Sequence, residues 1–450
     1  MAKTFSMSLR KSVAIVIAQN IFSFIIGFSN SVFSARILGP EGKGIFAIYT
    51  SSIELFALLL GIGVPHALLY FAAKDTFSRA QVFNTALLFL FGCTGVFMFI
   101  VLESFELGVS EFFLPKPYHD ATYQFTLVGY FFCLSGWYLF TSILNGHKLF
   151  IESNLISIIS IGVTFILYAL AFYNYTTHNV PIKVTTFYWF QLITSAALLG
   201  LCFYFYNQKI ARPEKKASLF LSGSQSNAIL RYGLLYFVSN LMIFLNSKID
   251  YWFVNYFVGA EELGLYVLAS NVGLLIILLP NAIGLVLSSY RAGSHDEELH
   301  RQTAKICRIS FSGALLLSVV LWGFGTVIIR ILYGSDFERA APVLNVLLIG
   351  IIPYCVFTVL RGYFAGARNL KLLIFSTLTG LFLTLTLDLL LIKPFGIMGA
   401  AIASVTAYTF STIYLLRSFC IQNDMRFWDM LFIRRQDVYE VIASVRSFSR

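Results

Sequence analysis

The sequence predicts an all-α integral membrane protein of about twelve transmembrane helices, arranged as two pseudo-symmetric six-helix bundles around a central cavity. Three observations carry this. Apolar blocks of about 20 residues recur along all 450 residues, and each is long enough to cross a hydrocarbon core about 30 Å thick. Lys and Arg alternate between the two sides of those blocks. Features of the first half return in the second at one fixed offset.

Only 12% of residues are charged and 58% are hydrophobic, against roughly 25% charged in an average soluble domain. Connections between blocks are short, which leaves no room for a globular catalytic domain. Backbone groups in lipid must be satisfied within their own segment, so apolar runs of this length are helices. The runs do not alternate with period two, which excludes a β-barrel reading.

The spans run roughly 12–35, 45–72, 82–102, 121–145, 152–173 and 185–206, then 230–258, 264–290, 306–332, 341–365, 371–392 and 397–420. In the first, Lys3, Arg10 and Lys11 precede an apolar run from Val13 to Phe33. That run is too long for a signal-peptide core, and Gln19 and Asn20 interrupt it. It is read as a retained membrane helix. Pro65 and Pro280 fall in spans two and eight, corresponding helices of the two halves, where each removes a backbone hydrogen bond and permits a kink. Gly396, Gly399, Ala400 and Ala403 line one face of span twelve and allow close helix packing. The domains follow: a bundle over 1–206, a basic linker over 207–229, a second bundle over 230–420 and a tail over 421–450.

With the amino end placed in the cytoplasm, 23 of the 32 Lys and Arg lie on the inner side and 7 on the outer, with Lys248 and Arg361 inside spans. This is the positive-inside pattern, and it puts both termini in the cytoplasm. The net charge of +10 is therefore mostly orientation, and no nucleic-acid partner is expected. The six cysteines lie in or beside apolar blocks, so neither a disulfide nor a metal cluster is expected.

The repeat is visible at two loops. Gly39-Pro-Glu-Gly-Lys-Gly-Ile-Phe aligns with Gly259-Ala-Glu-Glu-Leu-Gly-Leu-Tyr, and Gly146-His-Lys aligns with Gly366-Ala-Arg, with one and the same separation in both cases. Six spans per half make this a parallel repeat, an architecture of rocking transporters with a substrate site at the repeat interface. Glycines in both outer loops permit tight reversals, and those loops are read as structural hairpins.

Four segments resemble a known family. They are Ala35-Arg-Ile-Leu-Gly-Pro-Glu-Gly-Lys-Gly-Ile-Phe-Ala47, the run from Ile249 to Tyr266, Tyr333-Gly-Ser-Asp-Phe-Glu-Arg-Ala340, and Pro394-Phe-Gly-Ile-Met-Gly-Ala-Ala-Ile-Ala403. In this order, over roughly 10–420, they resemble the polysaccharide-biosynthesis (O-antigen and exopolysaccharide repeat-unit) flippases of the multidrug, oligosaccharidyl-lipid and polysaccharide exporter superfamily. The resemblance implies a carrier of lipid-linked oligosaccharide in a bacterial cytoplasmic (inner) membrane, serving lipopolysaccharide or other surface-glycan assembly beside other membrane proteins of that pathway. It does not name the sugar.

Charges inside spans cost roughly 2.5–3.5 kcal/mol on insertion scales and are functional candidates by default. A pyrophosphate-linked lipid needs cations along its path, which selects Lys248 and Arg361, with Arg36 and Arg291 at the ends of spans one and eight. Lys248 and Asp250 are two residues apart and cannot pair with each other on one helix face; Asp250 with Arg361 is an open alternative. Glu54, Asp250 and Asp388 are candidates for ion coupling, although Asp388, near the outer end of span eleven, reads more readily as a wet residue. Tyr232, Tyr236, Tyr251, Trp252 and Tyr256 cluster in span seven and read as an interfacial belt, with sugar-stacking rings as the alternative. No Walker-type phosphate loop is present, so no nucleotide or other cofactor is expected, and an ion gradient or the membrane potential supplies any driving force. Two other functions stay in view: a cation-coupled multidrug exporter of the same superfamily, and a membrane polymerase or ligase, which would carry a larger outer loop.

Overall fold

The computed structural model describes residues 2–74, 76–106, 112, 121–211, 223–293, 297–434 and 437. Most of the longest outer connection, the middle of the linker and most of the tail beyond 434 lie outside the described residues. Among the described residues every regular element is helical. Helix α1 runs Ala2–Gly61 and breaks at Gly39, α2 runs Val64–Ala73, α3 Arg79–Glu106, α4 Ala121–Gly146, α5 Phe150–His178 and α6 Val184–Lys209. The second series is α7 (Gly223–Phe257), α8 (Ala260–Leu274), a 3₁₀ turn (Leu275–Ile277), α9 (Leu278–Gly293), α10 (Glu297–Tyr333), α11 (Ala341–Gly366), α12 (Leu370–Phe395) and α13 (Ile397–Gln422).

Eleven stretches among the described residues are long and apolar enough to cross a membrane. The first, Ile25–Gly61, has 37 residues and would be about 55 Å long if straight, nearly twice the hydrocarbon core. It turns at Gly39, whose φ of 65° with ψ of −176° is open to glycine and closed to residues with a β-carbon. Counting its two arms separately gives twelve spans. Gly259, at the corresponding place in the second half, has φ 115° and ψ 172° and separates α7 from α8 in the same way.

The two predicted kinks differ: span two is interrupted, while span eight only changes its helix type. Span two stops at Gly61 and restarts at Val64, with Ile62 (φ 42°) and Gly63 (φ 69°) both left-handed. Pro65 does not bend the helix; it sits in the first turn of α2, where a missing N–H costs nothing. Span eight changes to 3₁₀ geometry over Leu275–Ile277 before Pro280.

By contacts the chain divides into two compact units, Met1–Phe244 and Leu245–Arg450, with the division falling inside α7. In the first unit, α2, α3, α4 and α6 share a core that includes Leu68, Leu90, Phe140, Leu199 and Tyr206. The second unit packs α9, α10, α11 and α13 around Val359, Leu360, Tyr363 and Phe419, and Met430 of the tail seals that core. Helices α3, α5, α10 and α12 leave most of their apolar surface outside, while α4, the α8–α9 span, α11 and α13 are mostly buried. The same alternation of lipid-facing and central helices thus runs through both series.

Candidate functional site

Helix α12 carries Ser376, Gly380, Thr384, Asp388 and Ile392 on its buried side. The four-residue spacing puts them on one face, turned toward α13 and α7. Asp388 is 0% exposed, and neither of its carboxylate oxygens has a hydrogen-bond donor among the described residues. The expectation of a wet Asp388 is therefore corrected: this periodicity turns it inward, although the helix end lies only a few residues on.

Asp250 comes from α7 and is also buried. Its Oδ2 accepts the phenolic proton of Tyr266 on α8, and its Oδ1 has no donor among the described residues. With that proton given away, Ser404 of α13, 3.0 Å from the Tyr266 oxygen, is the donor to it. Asp250 and Asp388 are close enough to repel each other. Tyr408 of α13 lies within electrostatic reach of both and packs its ring, tilted, against Tyr354 of α11 at 4.4 Å between centroids. Neither carboxyl meets a Lys or Arg among the described residues. Asp250 does not pair with Arg361, which instead donates from Nη2 to Asn281 Oδ1 of α9 at 3.3 Å.

One turn before Asp250, the Asn246 side chain packs on Gly380 beside Ser411, and its Oδ1 also lacks a donor among the described residues. A polar seam therefore runs between α7, α12 and α13 inside the second unit. A buried carboxylate without a cation is uncompensated by several kcal/mol, and two that repel each other cost more. The arrangement is chemically suited to taking up a proton or one small cation.

The predicted cations do not form one cluster. Lys248, half-buried on α7, has its Nζ 5.9 Å from the Tyr251 ring centroid. Arg361 and Arg291 both act across the α9–α11 pair: Arg291 lies over the Tyr363 ring at 4.8 Å. Arg36 is exposed on α1 in the first unit. Glu54, half-buried on α1, lies within electrostatic reach of Tyr130 and Tyr138 of α4.

Two participants are not among the residues the sequence singles out: Tyr266 ends a motif read as a hairpin, and Ser404 follows a motif read as packing. Lys43, an outer-loop residue in the sequence, is no part of this seam. Lys43 is in fact buried, its Nζ bonded to Ser34 Oγ at 2.8 Å and Ser31 Oγ at 3.3 Å. The four-residue recurrence of small and polar residues along α12 was a signal available in the sequence.

Against known families, the polysaccharide biosynthesis protein model matches residues 9–287, more than half of the chain. The chain belongs to the polysaccharide biosynthesis protein family. The MatE model matches residues 236–390, which agrees with the wider exporter superfamily suggested by the motifs. A relative in Shigella flexneri named "Putative O-antigen transporter" is 22% identical over 410 residues, covering 85% of this chain and 92% of its own. The fold is also that of solved structures. "Lipid II flippase MurJ, inward closed conformation" aligns with a TM-score of 0.68 at 17% identity, over 91% of this chain and 89% of the other. An inward-facing multidrug resistance MATE family transporter aligns at 0.61 and 15% identity, over 89% and 94%.

Proposed function

We propose that this membrane protein is a flippase that carries lipid-linked oligosaccharide, of the undecaprenyl-pyrophosphate type, from the cytoplasmic to the outer leaflet. Its setting is a bacterial cytoplasmic membrane with both termini inside, and its product feeds surface-polysaccharide assembly such as O-antigen. The observation that carries the reading is the family match through the first eight spans, on a chain whose two series of six helices repeat. The relative named "Putative O-antigen transporter", matched along nearly its whole length, supports the substrate class.

The mechanism that fits is alternating access driven by a cation or proton. Asp250 and Asp388 take up the coupling ion, because among the described residues three of their four oxygens have no donor and no basic residue compensates them. Loading that seam draws α7, α12 and α13 together, and release loosens them. Lys248, Arg361, Arg36 and Arg291 meet the pyrophosphate at different stages, consistent with cations spread along the chain rather than gathered at one point. Guanidinium suits bidentate phosphate contact and ammonium supplies a point charge.

Deleting the gene tests the reading. Sugar-linked undecaprenyl lipid accumulating on the inner face, with loss of surface glycan, is the expected result; intact glycan with no accumulation sinks it. The match of the MatE model to residues 236–390 favours one second reading, a cation-coupled drug exporter. That reading requires the deletion to raise sensitivity to cationic drugs while leaving the glycan unchanged.

A further inference from the structure

The interruption of span two places a row of polar aromatics on the surface of the first unit. Gly63, in the left-handed break, lies so close to Gly233 of α7 that a β-carbon on either would strike the other's backbone. This contact sets α2 against the first part of α7. The Tyr70 ring stacks on Tyr232 at 4.3 Å between centroids, and the His66 ring stacks on Tyr236 at 5.2 Å. Polar atoms link the row: the Tyr232 and Tyr236 hydroxyls are 3.4 Å apart, and Asn240 Nδ2 is 3.0 Å from His66 Nε2. Lys74 closes one end, its Nζ 4.6 Å from the Tyr70 centroid. His66 and Tyr236 are exposed, Tyr236 at 44%.

An interfacial belt does not account for this row. His66 is eight residues from Lys74 along α2, and Asn240 nine from Arg231 along α7. At 1.5 Å per residue these are about 12 and 14 Å from those basic residues. An imidazole and a carboxamide at that depth are costly against lipid tails, so this face lines a polar path. Interrupted helices are tolerated in membranes where they line such a path.

We infer that His66, Tyr70, Tyr232, Tyr236 and Asn240 form a binding stripe for the sugar rings of the transported lipid, with Lys74 at the end that receives its pyrophosphate. The inference rests on the flippase reading. Ring faces offer the flat apolar surface that the C–H face of a pyranose covers. The hydroxyls, imidazole and amide supply donors and acceptors for its equatorial hydroxyls. Stacking tolerates many sugars, which suits a carrier of variable glycans.

The test compares two probes bound to the purified protein in nanodiscs: undecaprenyl pyrophosphate, and the sugar-linked undecaprenyl lipid extracted from cells lacking the gene. Tyr232→Leu and Tyr236→Leu should each weaken binding of the sugar-linked probe about three- to tenfold and leave undecaprenyl pyrophosphate within twofold. Tyr236→Phe, which keeps the ring and loses the hydroxyl, should weaken the sugar-linked probe less than Tyr236→Leu does and leave undecaprenyl pyrophosphate within twofold. Equal losses for both probes would make the rings packing or a lipid-facing belt, and unchanged binding of both would also overturn the stripe. Failure of the wild-type protein to bind the sugar-linked probe would instead overturn the flippase reading, and the stripe with it.

Discussion

The two halves of the chain share the geometry of their turns and differ in what they bury. Gly39 and Gly259, which the repeat brings into register, have the same extended ψ at positive φ. Lys148 and Arg368 are both left-handed, at φ 63° and 55°. The bonds that close α4, from the amides of residues 147, 148 and 149 to the carbonyls of 143, 145 and 144, reappear after α11 from 367, 368 and 369 to 363, 365 and 364. Gly146 packs on Leu69 and Ala72 of α2 as Gly366 packs on Ser288 and Arg291 of α9. Chemistry does not repeat. In the same register, Asp250, Tyr266, Asp388 and Ser404 correspond to Asn30, Phe46, Tyr168 and Val184, and buried Lys43 corresponds to Leu263. Packing and turn geometry preserve a repeat because every part of the bundle needs them, whereas a charged site is needed once.

The largest expected effect breaks that asymmetry. Asp388→Asn and Asp250→Asn should each lower glycan export in a deletion strain by at least about tenfold, without a matching loss of folding stability, because an uncompensated buried charge has been removed. Tyr168→Phe, at the corresponding place in the first half, should leave export within twofold. Export unchanged in both Asn variants, measured as surface glycan at matched protein levels, removes the coupling role.

A second difference lies in the tail, which docks on α10. Arg308 of α10 donates from Nε and Nη2 to the two oxygens of Asp437 at 2.7 and 2.9 Å, and from Nη1 to the Asp429 carbonyl at 2.9 Å. Both side chains of the pair are buried, so Arg308→Ala should cost about 3–5 kcal/mol of docking and expose the tail to protease. The bonds from Arg308 hold the Asp437 carboxyl below its usual range. Its contribution is therefore present in full above about pH 4, the unfolded value, and disappears as pH falls through the lower folded value. Proteolysis of the tail should be flat from pH 5 to 8; a rise toward pH 5 would contradict this pairing.

A third, smaller effect concerns Lys43. Among the described residues its amine is met by hydroxyls and a carbonyl and by no carboxylate. Lys43→Leu, which copies the corresponding Leu263, should be neutral or stabilising by about 1 kcal/mol in a thermal melt. A loss above about 2 kcal/mol would show that the serine bonds more than offset the burial.

Much of the fold was legible because lipid enforces it: length, hydropathy and the side of each charge fix spans and order, and a constant offset exposes the repeat. The site was legible only in part. Asp250 and Asp388 were visible as charges in apolar runs, but their meeting depends on which face each helix turns inward, and α12 shows that only in its four-residue row of small and polar residues. Tyr266 was hidden because a tyrosine closing a glycine hairpin looks the same whether it caps a turn or reaches a carboxylate on the neighbouring helix. The break at Ile62–Gly63 was masked by Pro65, which drew attention to a kink where the backbone is instead interrupted two residues earlier.

The smallest expected effect returns to the shared backbone. Lys148 and Arg368 follow the last turns of α4 and α11 in a conformation that costs a residue with a β-carbon about 1 kcal/mol or more. Their amides each close a turn, to the carbonyls of Asn145 and Ala365, and both side chains are at least partly exposed. Glycine relieves the strain and loses some of that gain to the entropy of a freer unfolded chain. Lys148→Gly and Arg368→Gly should therefore each stabilise by no more than about 1 kcal/mol, and by equal amounts if the repeat governs local energetics as it governs geometry. A clear gain at one position and a loss at the other, in melts of the same preparation, would show that the two turns share a shape without sharing its cause.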